Sequence, residues 1–224
     1  SCARAPVHRG SAPTGAVGAP ADRLGRKRMI VEDPLGTQLT YSKLLLGAKI
    51  LGAKLAALTG PGETVGVLLP NAAGIAVVLL GLHRHGRVPA MLNYTAGPAN
   101  LVSACKTAKL TTVVTSRAFI EKARLEAELA ELEKHVRIVM TEDVRASITT
   151  PDKLKGLLPA RLPVKMDPDG PAFILFTSGS EGVPKGVVLS HRNVLSNVAQ
   201  VAARIDFSPA DIIFNVLPVF HSFG

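Results

Sequence analysis

The residues best suited to chemistry lie in one stretch, Phe173 to His191, which reads FILFTSGSEGVPKGVVLSH. Thr177, Ser178, Gly179, Ser180, Gly182, Lys185 and Gly186 fall within ten residues of it. Glycines let backbone N–H groups turn inward without a Cβ in the way, and successive inward N–H groups form an anion-binding nest. The three hydroxyls add donors, and Lys185 adds a compact positive charge on a mobile stem. Together these groups suit a polyphosphate. The apolar runs on either side predict strand, tight loop, strand. The pattern is not a Walker loop, which needs G-x-x-x-x-G-K-[ST] opening a helix; here Lys185 is followed by Gly186 and two β-branched valines. G-x-G-x-x-G is absent as well. The simpler reading is a Gly/Ser hairpin turn with a surface lysine. An ordinary hairpin, however, needs only one or two special residues.

A second stretch, Leu217 to Gly224, reads LPVFHSFG. A lone histidine after a strand is by itself a packing or surface residue. The order of the two stretches gives His221 more weight. The run from Thr177 to Gly186 resembles the phosphate-loop signature of the adenylate-forming superfamily: acyl-CoA synthetases, luciferases and the adenylation domains of peptide synthetases. LPVFHSFG resembles the next motif of that superfamily, which implies that His221 belongs to the acyl-substrate site.

The middle of the chain narrows the resemblance. Gly86 to Ser116, above all Pro89-Ala90-Met91-Leu92-Asn93-Tyr94-Thr95-Ala96-Gly97, is similar to the acyl-acyl-carrier-protein synthetase domain of bacterial bifunctional 2-acylglycerophosphoethanolamine acyltransferases. The resemblance covers about residues 25–224. It implies ATP with Mg2+, a fatty acid activated to acyl-AMP, transfer to acyl carrier protein, and delivery to a lysophospholipid through a fused acyltransferase at the cytoplasmic face of the inner membrane. Membrane association is then expected through the parent protein and not through this segment, which is expected to be soluble. The family's ligase continues past FHSFG into a Y-G-x-T-E segment, a ribose-binding aspartate, a hinge and a C-terminal lysine. None of these is in the sequence, and no histidine has Asp at the H-x-x-x-x-D spacing of an acyltransferase. The expectation is therefore an N-terminal part of a ligase large domain, inactive alone. The alternatives are part of a fatty acyl-CoA ligase, or a non-catalytic membrane-associated module with a ligase fold.

These groups need a scaffold, and the periodicity supplies one. Arg28–Glu32 predicts a short strand, Asp33-Pro34-Leu35-Gly36 a turn, and Thr40 an N-cap for a helix with a stripe at Leu44, Ala48, Leu51, Leu55 and Leu58, stopped by Gly60-Pro61. LTYSKLL resembles an early motif of the superfamily with Lys43 in the place of the usual glutamate, so a capping-box partner is missing. Next come a strand at 64–69, a helix at 72–85 capped by Asn71 and closed by Gly86, a strand at 87–91, a helix at 99–108 and a strand at 110–115. Ser116 then caps a charged helix with Leu125, Leu129 and Leu132 on one face, followed by a strand at 136–140. The five glutamates between Glu121 and Glu133 are spread around the helix, as on a solvated face. After the hairpin, a helix at 193–205 and a strand at 212–217 complete the pattern. The fold class is α/β, a mostly parallel sheet flanked by helices. The domain reading is a tail or linker at 1–21, an α/β lobe at 22–140, a connecting segment at 141–170 punctuated by Pro and Asp, and the hairpin, helix and start of the acyl-site motif at 171–224.

Composition sets the outer limits. The chain has 224 residues, 47% of them hydrophobic, which suffices for a core. Two cysteines, Cys2 and Cys105, make no disulfide framework and fit a reducing compartment. No metal-binding cluster of His and Cys is visible. The net charge of +9 raises the question of anionic partners, but nucleic acid is disfavoured by 4% aromatics, the lack of tryptophan and the absence of any nucleic-acid motif. Val65–Leu82 is long enough to span a membrane and free of charge. Pro70-Asn71 divides it, so it reads as a buried strand followed by a buried helix.

Overall fold

The computed structural model describes residues 21–158, 164–177 and 184–221. The first element is an antiparallel hairpin of β1 (Met29–Glu32) and β2 (Gln38–Thr40), turned at Asp33–Gly36 with Gly36 at φ 79°. The Thr40 side chain accepts from the Lys43 amide at 3.2 Å and opens α1 (Tyr41–Leu58). Four β/α units follow: β3 (Thr64–Val67) with α2 (Ala73–Arg84), β4 (Val88–Met91) with α3 (Pro98–Thr107), β5 (Thr112–Thr115) with α4 (Arg117–Ala123) and α5 (Glu126–Leu132), and β6 (Arg137–Met140) with α6 (Thr141–Ala146) and α7 (Thr150–Leu157). Then come β7 (Pro171–Thr177), β8 (Lys185–Ser190) and α8 (His191–Ala202).

The main sheet runs β6-β5-β3-β4-β7-β8. Its first five strands are parallel, and β8 returns antiparallel to β7. The α/β, mostly parallel fold expected from the sequence is what the chain adopts. β3 to β5 are near-continuous apolar runs because both sheet faces are covered. On one face Leu51 and Leu55 of α1, Ile75, Val78 and Leu82 of α2 and Val144 of α6 pack on Val65 and Val67. On the other, Leu101 and Val102 of α3, Phe119 and Ile120 of α4 and Leu132 of α5 pack on Ala90 and Val113. α1 and α2 meet almost backbone to backbone, since a Cβ on Gly52 would stand 2.6 Å from the Gly81 carbonyl oxygen. Arg87, at the foot of β4, donates to the carbonyls of Ala56, Thr59 and His85, which ties the end of α1 to the sheet.

Several expectations are corrected. The charged helix is two helices, because Arg124 adopts a left-handed φ of 55° between them and turns Leu125 into the core. The segment after residue 140 is not patternless. α7 starts in a capping box, with Asp152 accepting from the Thr149 amide at 2.8 Å, and Pro151 lies in the first turn, where a missing N–H costs nothing. Residues 212–217 form no strand: they pair with no neighbouring strand, and Ile212 and Phe214 are 92% and 83% exposed. A lone segment has no partner for its backbone groups, so apolar composition alone does not make it a strand. The last helix starts at His191, two residues earlier than expected, because Ser190 and Asn193 form its capping box. Residues 1–20 of the expected tail lie outside the described residues. No described helix is long and apolar enough to cross a membrane.

Candidate functional site

The strand order reverses between β3 and β4. From β3 the chain steps to β4 on one side, then crosses to β5 on the other, and later returns to place β7 beside β4. Loops leaving the carboxyl ends of such strands diverge and open a crevice, which is where ligands bind in open α/β sheets. Both informative stretches of the sequence arrive at this edge.

The hairpin comes first. β7 and β8 pair in register from Phe173↔Leu189 to Thr177↔Lys185, so Thr177 and Lys185 face each other across the mouth of the loop. Both are exposed. Ser178, Gly179, Ser180 and Gly182 lie outside the described residues. Gly186 pairs with Phe176, and a Cβ there would meet Ile174 Cγ2 at an ordinary 3.4 Å. Neither crowding nor a left-handed φ therefore requires glycine at this position.

The second stretch follows. Leu217 to His221 is seated over the ends of β3 and β4. Asn71, four residues after β3, donates from Nδ2 to the Leu217 carbonyl and accepts from the Val219 amide at Oδ1, 2.9 Å away. Tyr94, just past β4, meets Phe220 edge to face at 5.0 Å and Phe119 at 5.1 Å. Val219 and Phe220 pack against the α1/α2 core. The His221 amide closes a turn onto the Pro218 carbonyl at 2.8 Å, leaving the residue on the surface.

Asn71 and Tyr94 are the positioning residues that the sequence reading missed. Asn71 reads as the N-cap of α2, but that helix starts at Ala73 and its first amide is taken by Asp33 of the β1–β2 turn, Oδ2 to Ala73 N 2.9 Å. Asp33 Oδ1 also accepts from Leu35 and Thr37. Loss of hydration pushes the Asp33 pKa up, and the three amides more than offset this and hold it below the usual carboxylate value. With α2 capped from elsewhere, the Asn71 side chain is free to hold the second stretch. The signal available in the sequence was its place directly after Pro70 at the end of a core strand. Tyr94 lay inside the Asn93–Gly97 run that carried the family resemblance.

Two hollows lie away from this edge. One, of about 620 Å³, opens between α3 and α5 beside Val102, Lys106, Glu131 and His135. The other, of about 190 Å³, lies at the feet of the strands between Gly86, Val164 and His191. Among the described residues no group of three His, Cys, Asp or Glu side chains could hold a metal ion.

Comparison with known proteins settles the family. The model of the AMP-binding enzyme family matches residues 19–224, nearly the whole chain. The chain belongs to the AMP-binding enzyme family. Similar members include sulfoacetate–CoA ligase of Cupriavidus necator, 34% identical over 211 residues that cover 88% of this chain and 38% of that protein. 4-Coumarate–CoA ligase of Pinus taeda is 31% identical over 197 residues, 82% of this chain and 35% of that protein. The chain thus spans under two fifths of the length of these relatives. Among solved structures, VinN in complex with 3-methylaspartate superimposes with a TM-score of 0.81 at 24% identity, over 96% of this chain and 57% of that one. The o-succinylbenzoate CoA synthetase MenE of Bacillus subtilis, solved with ATP and magnesium ion, gives 0.73 at 20% identity over 94% and 52%. These structural likenesses establish the AMP-binding fold of the large-domain region.

Proposed function

We propose that this chain is the phosphate-binding part of an ATP-dependent, AMP-forming ligase that activates a carboxylic acid. One observation carries the reading: Lys185 and Thr177 close the mouth of a Gly/Ser/Thr hairpin on the sheet edge where Asn71 and Tyr94 hold Leu217–His221. A carboxylate oxygen attacking the α-phosphate brings two anions together, and pyrophosphate leaves with the charge. Donors and a cation preplaced at the β and γ phosphates offset the repulsion and stabilise the leaving group. The exposed Lys185 ammonium and Thr177 hydroxyl suit that task, with Ser178, Gly179, Ser180, Gly182 and Gly186 completing the cradle. Mg2+ arriving with the nucleotide would neutralise further phosphate charge. His221, held above the ends of β3 and β4, lies on the side from which the acid would approach.

In the finer reading the acid is a fatty acid, and the acceptor is the phosphopantetheine thiol of acyl carrier protein, with a lysophospholipid reached through a fused acyltransferase. It rests on the Asn93-Tyr94-Thr95-Ala96-Gly97 run. A second reading, coenzyme A as acceptor, is favoured by the two relatives described above, both named as CoA ligases. Thioester formation by the full-length enzyme with each acceptor, under matched conditions, separates the two.

The common core is tested at Lys185. In the full-length enzyme Lys185→Ala should slow adenylation by about 30- to 1000-fold, the value of one charged hydrogen bond to a transferring phosphate, on the order of 2–4 kcal/mol. Thioester formation from preformed acyl-AMP should change far less, because pyrophosphate has already left. Lys185→Arg should rescue only in part. Adenylation by Lys185→Ala within about threefold of wild type would refute the role.

A further inference from the structure

The inner and outer faces of α7 differ in chemistry. Asp152 and Gly156, one turn apart, face α1. Asp152 pairs with Lys54 at 2.6 Å, and a Cβ on Gly156 would stand 2.7 Å from Ile50 Cγ1. These two contacts fix the rotation of the helix about its axis. At 100° per residue, Leu154 and Leu157 then point away from the protein. They are 61% and 69% exposed, and Leu158 beside them is 62% exposed. Lys153 and Lys155, both exposed, flank the leucines on either side. Lys49 of α1 reaches the Leu158 carbonyl and brings a third cation to the end of the patch. The one acid on α7, Asp152, is turned inward and already paired.

The outer surface is therefore an apolar centre with a cationic rim and no competing acid of its own helix. Leucines on one face with lysines around them suit a boundary between hydrocarbon and anionic headgroups. The long lysine stems can lie along the apolar layer while the ammonium groups reach phosphate. A protein partner fits less well. Three leucines fall far short of the roughly 800 Å² per partner that a stable interface buries, whereas reversible bilayer adhesion needs only a few apolar side chains backed by cations.

We propose that α7 is an interfacial docking element that sets Leu154, Leu157 and Leu158 into the headgroup region of an anionic phospholipid bilayer, with Lys153, Lys155 and Lys49 on the headgroups. The contact is peripheral, it is independent of the reaction proposed above, and it departs from the expectation that this segment takes no part in membrane association.

The test is flotation of the chain with phosphatidylcholine vesicles made with and without phosphatidylglycerol. Binding should require phosphatidylglycerol and weaken as salt rises. The double variant Leu154→Ser/Leu157→Ser should lower the partition coefficient by about tenfold or more, and Lys153→Glu/Lys155→Glu should do the same. Unchanged far-UV circular dichroism and melting should accompany both variants, since the side chains touch little. A single-site readout guards against misfolding. The sequence has no tryptophan, so Leu157→Trp introduces a lone indole whose emission should shift to the blue on adding anionic vesicles. No binding to anionic vesicles, equal binding to neutral ones, wild-type binding by the leucine variant, or an unshifted indole overturns the proposal. So does a dimer that the leucine variant dissociates in the absence of vesicle binding, which would assign the face to a second copy of the chain.

Discussion

Asn71→Ala should release the Leu217–His221 segment while leaving the sheet intact. The segment before it, 211–216, is exposed. The stretch is therefore held by the two Asn71 bonds, the Pro218–His221 turn and the packing of Val219 and Phe220. Each hydrogen bond contributes about 0.5–1.5 kcal/mol net. Losing both lowers the local opening free energy by about 1–3 kcal/mol, which corresponds to about 5- to 150-fold faster exchange of the Val219 amide. Amide exchange followed by NMR reads this residue by residue. Amides of β3 and β5, buried in the core, should not change. Asn71→Asp keeps an acceptor for Val219 and loses the donor to Leu217, so it should retain part of the protection. If the Val219 amide in Asn71→Ala exchanges within about twofold of wild type, below the value of a single bond, Asn71 does not position the motif. In the full-length enzyme the same substitution should then leave acid binding unchanged, whereas a positioning role for Asn71 requires it to weaken.

Two further predictions concern the scaffold. His83 is buried, with Nε2 2.8 Å from the Ala172 carbonyl oxygen, and is ringed by Phe173 and His191. A carbonyl only accepts, so Nε2 carries the hydrogen of a neutral ring. Burial pulls the His83 pKa down to about 4, and the neighbouring His191 acts in the same direction. The unfolded chain, with an ordinary histidine, therefore binds the proton first as pH falls. Stability is complete above about pH 6.5 and declines by roughly 3 kcal/mol down to about pH 4. Urea midpoints at pH 7 and 4.5 should show this decline in wild type and a shallower one in His83→Gln, and equal slopes would contradict it. Gly52→Ala must push α1 off the Gly81 backbone and should cost at least about 1 kcal/mol net of its helix-propensity gain. Gly74→Ala, with open space around the new Cβ, should instead gain up to about 1 kcal/mol. Urea denaturation of the pair gives opposite signs if the helix contact is as close as described.

The elements most legible in the sequence were those fixed by local chemistry. Thr40 and Ser116 announce their helices through side-chain caps, and the caps form as read. The hairpin announces itself by two apolar runs around a loop. Where the reading failed, a distant partner had overruled a local preference. Asn71 is a good N-cap by residue type, but Asp33, forty residues earlier, takes the amide. Ile212–Leu217 has strand composition, but a strand also needs a neighbour. Pro151 punctuates the sequence as a breaker would, but its effect depends on register: mid-helix it breaks, in the first turn it is tolerated. The assembly at this sheet edge is half legible: the hairpin that sets Thr177 opposite Lys185 reads from the sequence, while the grip of Asn71 and Tyr94 on the second stretch depends on a strand order that one-dimensional periodicity does not specify.

That strand order also sets a schedule for synthesis. β4 is flanked by β3, its immediate predecessor, and by β7, which begins at Pro171, eighty residues after Met91. At about 5–20 residues per second, one side of a wholly buried, apolar strand waits on the order of 4–16 seconds for its permanent neighbour. During that interval β4 presents unpaired N–H and C=O groups along its edge, a template for any other extended chain nearby. Nascent chains of this protein paused between Met91 and Pro171 should therefore be the ones most prone to capture by chaperones or to pairing with one another.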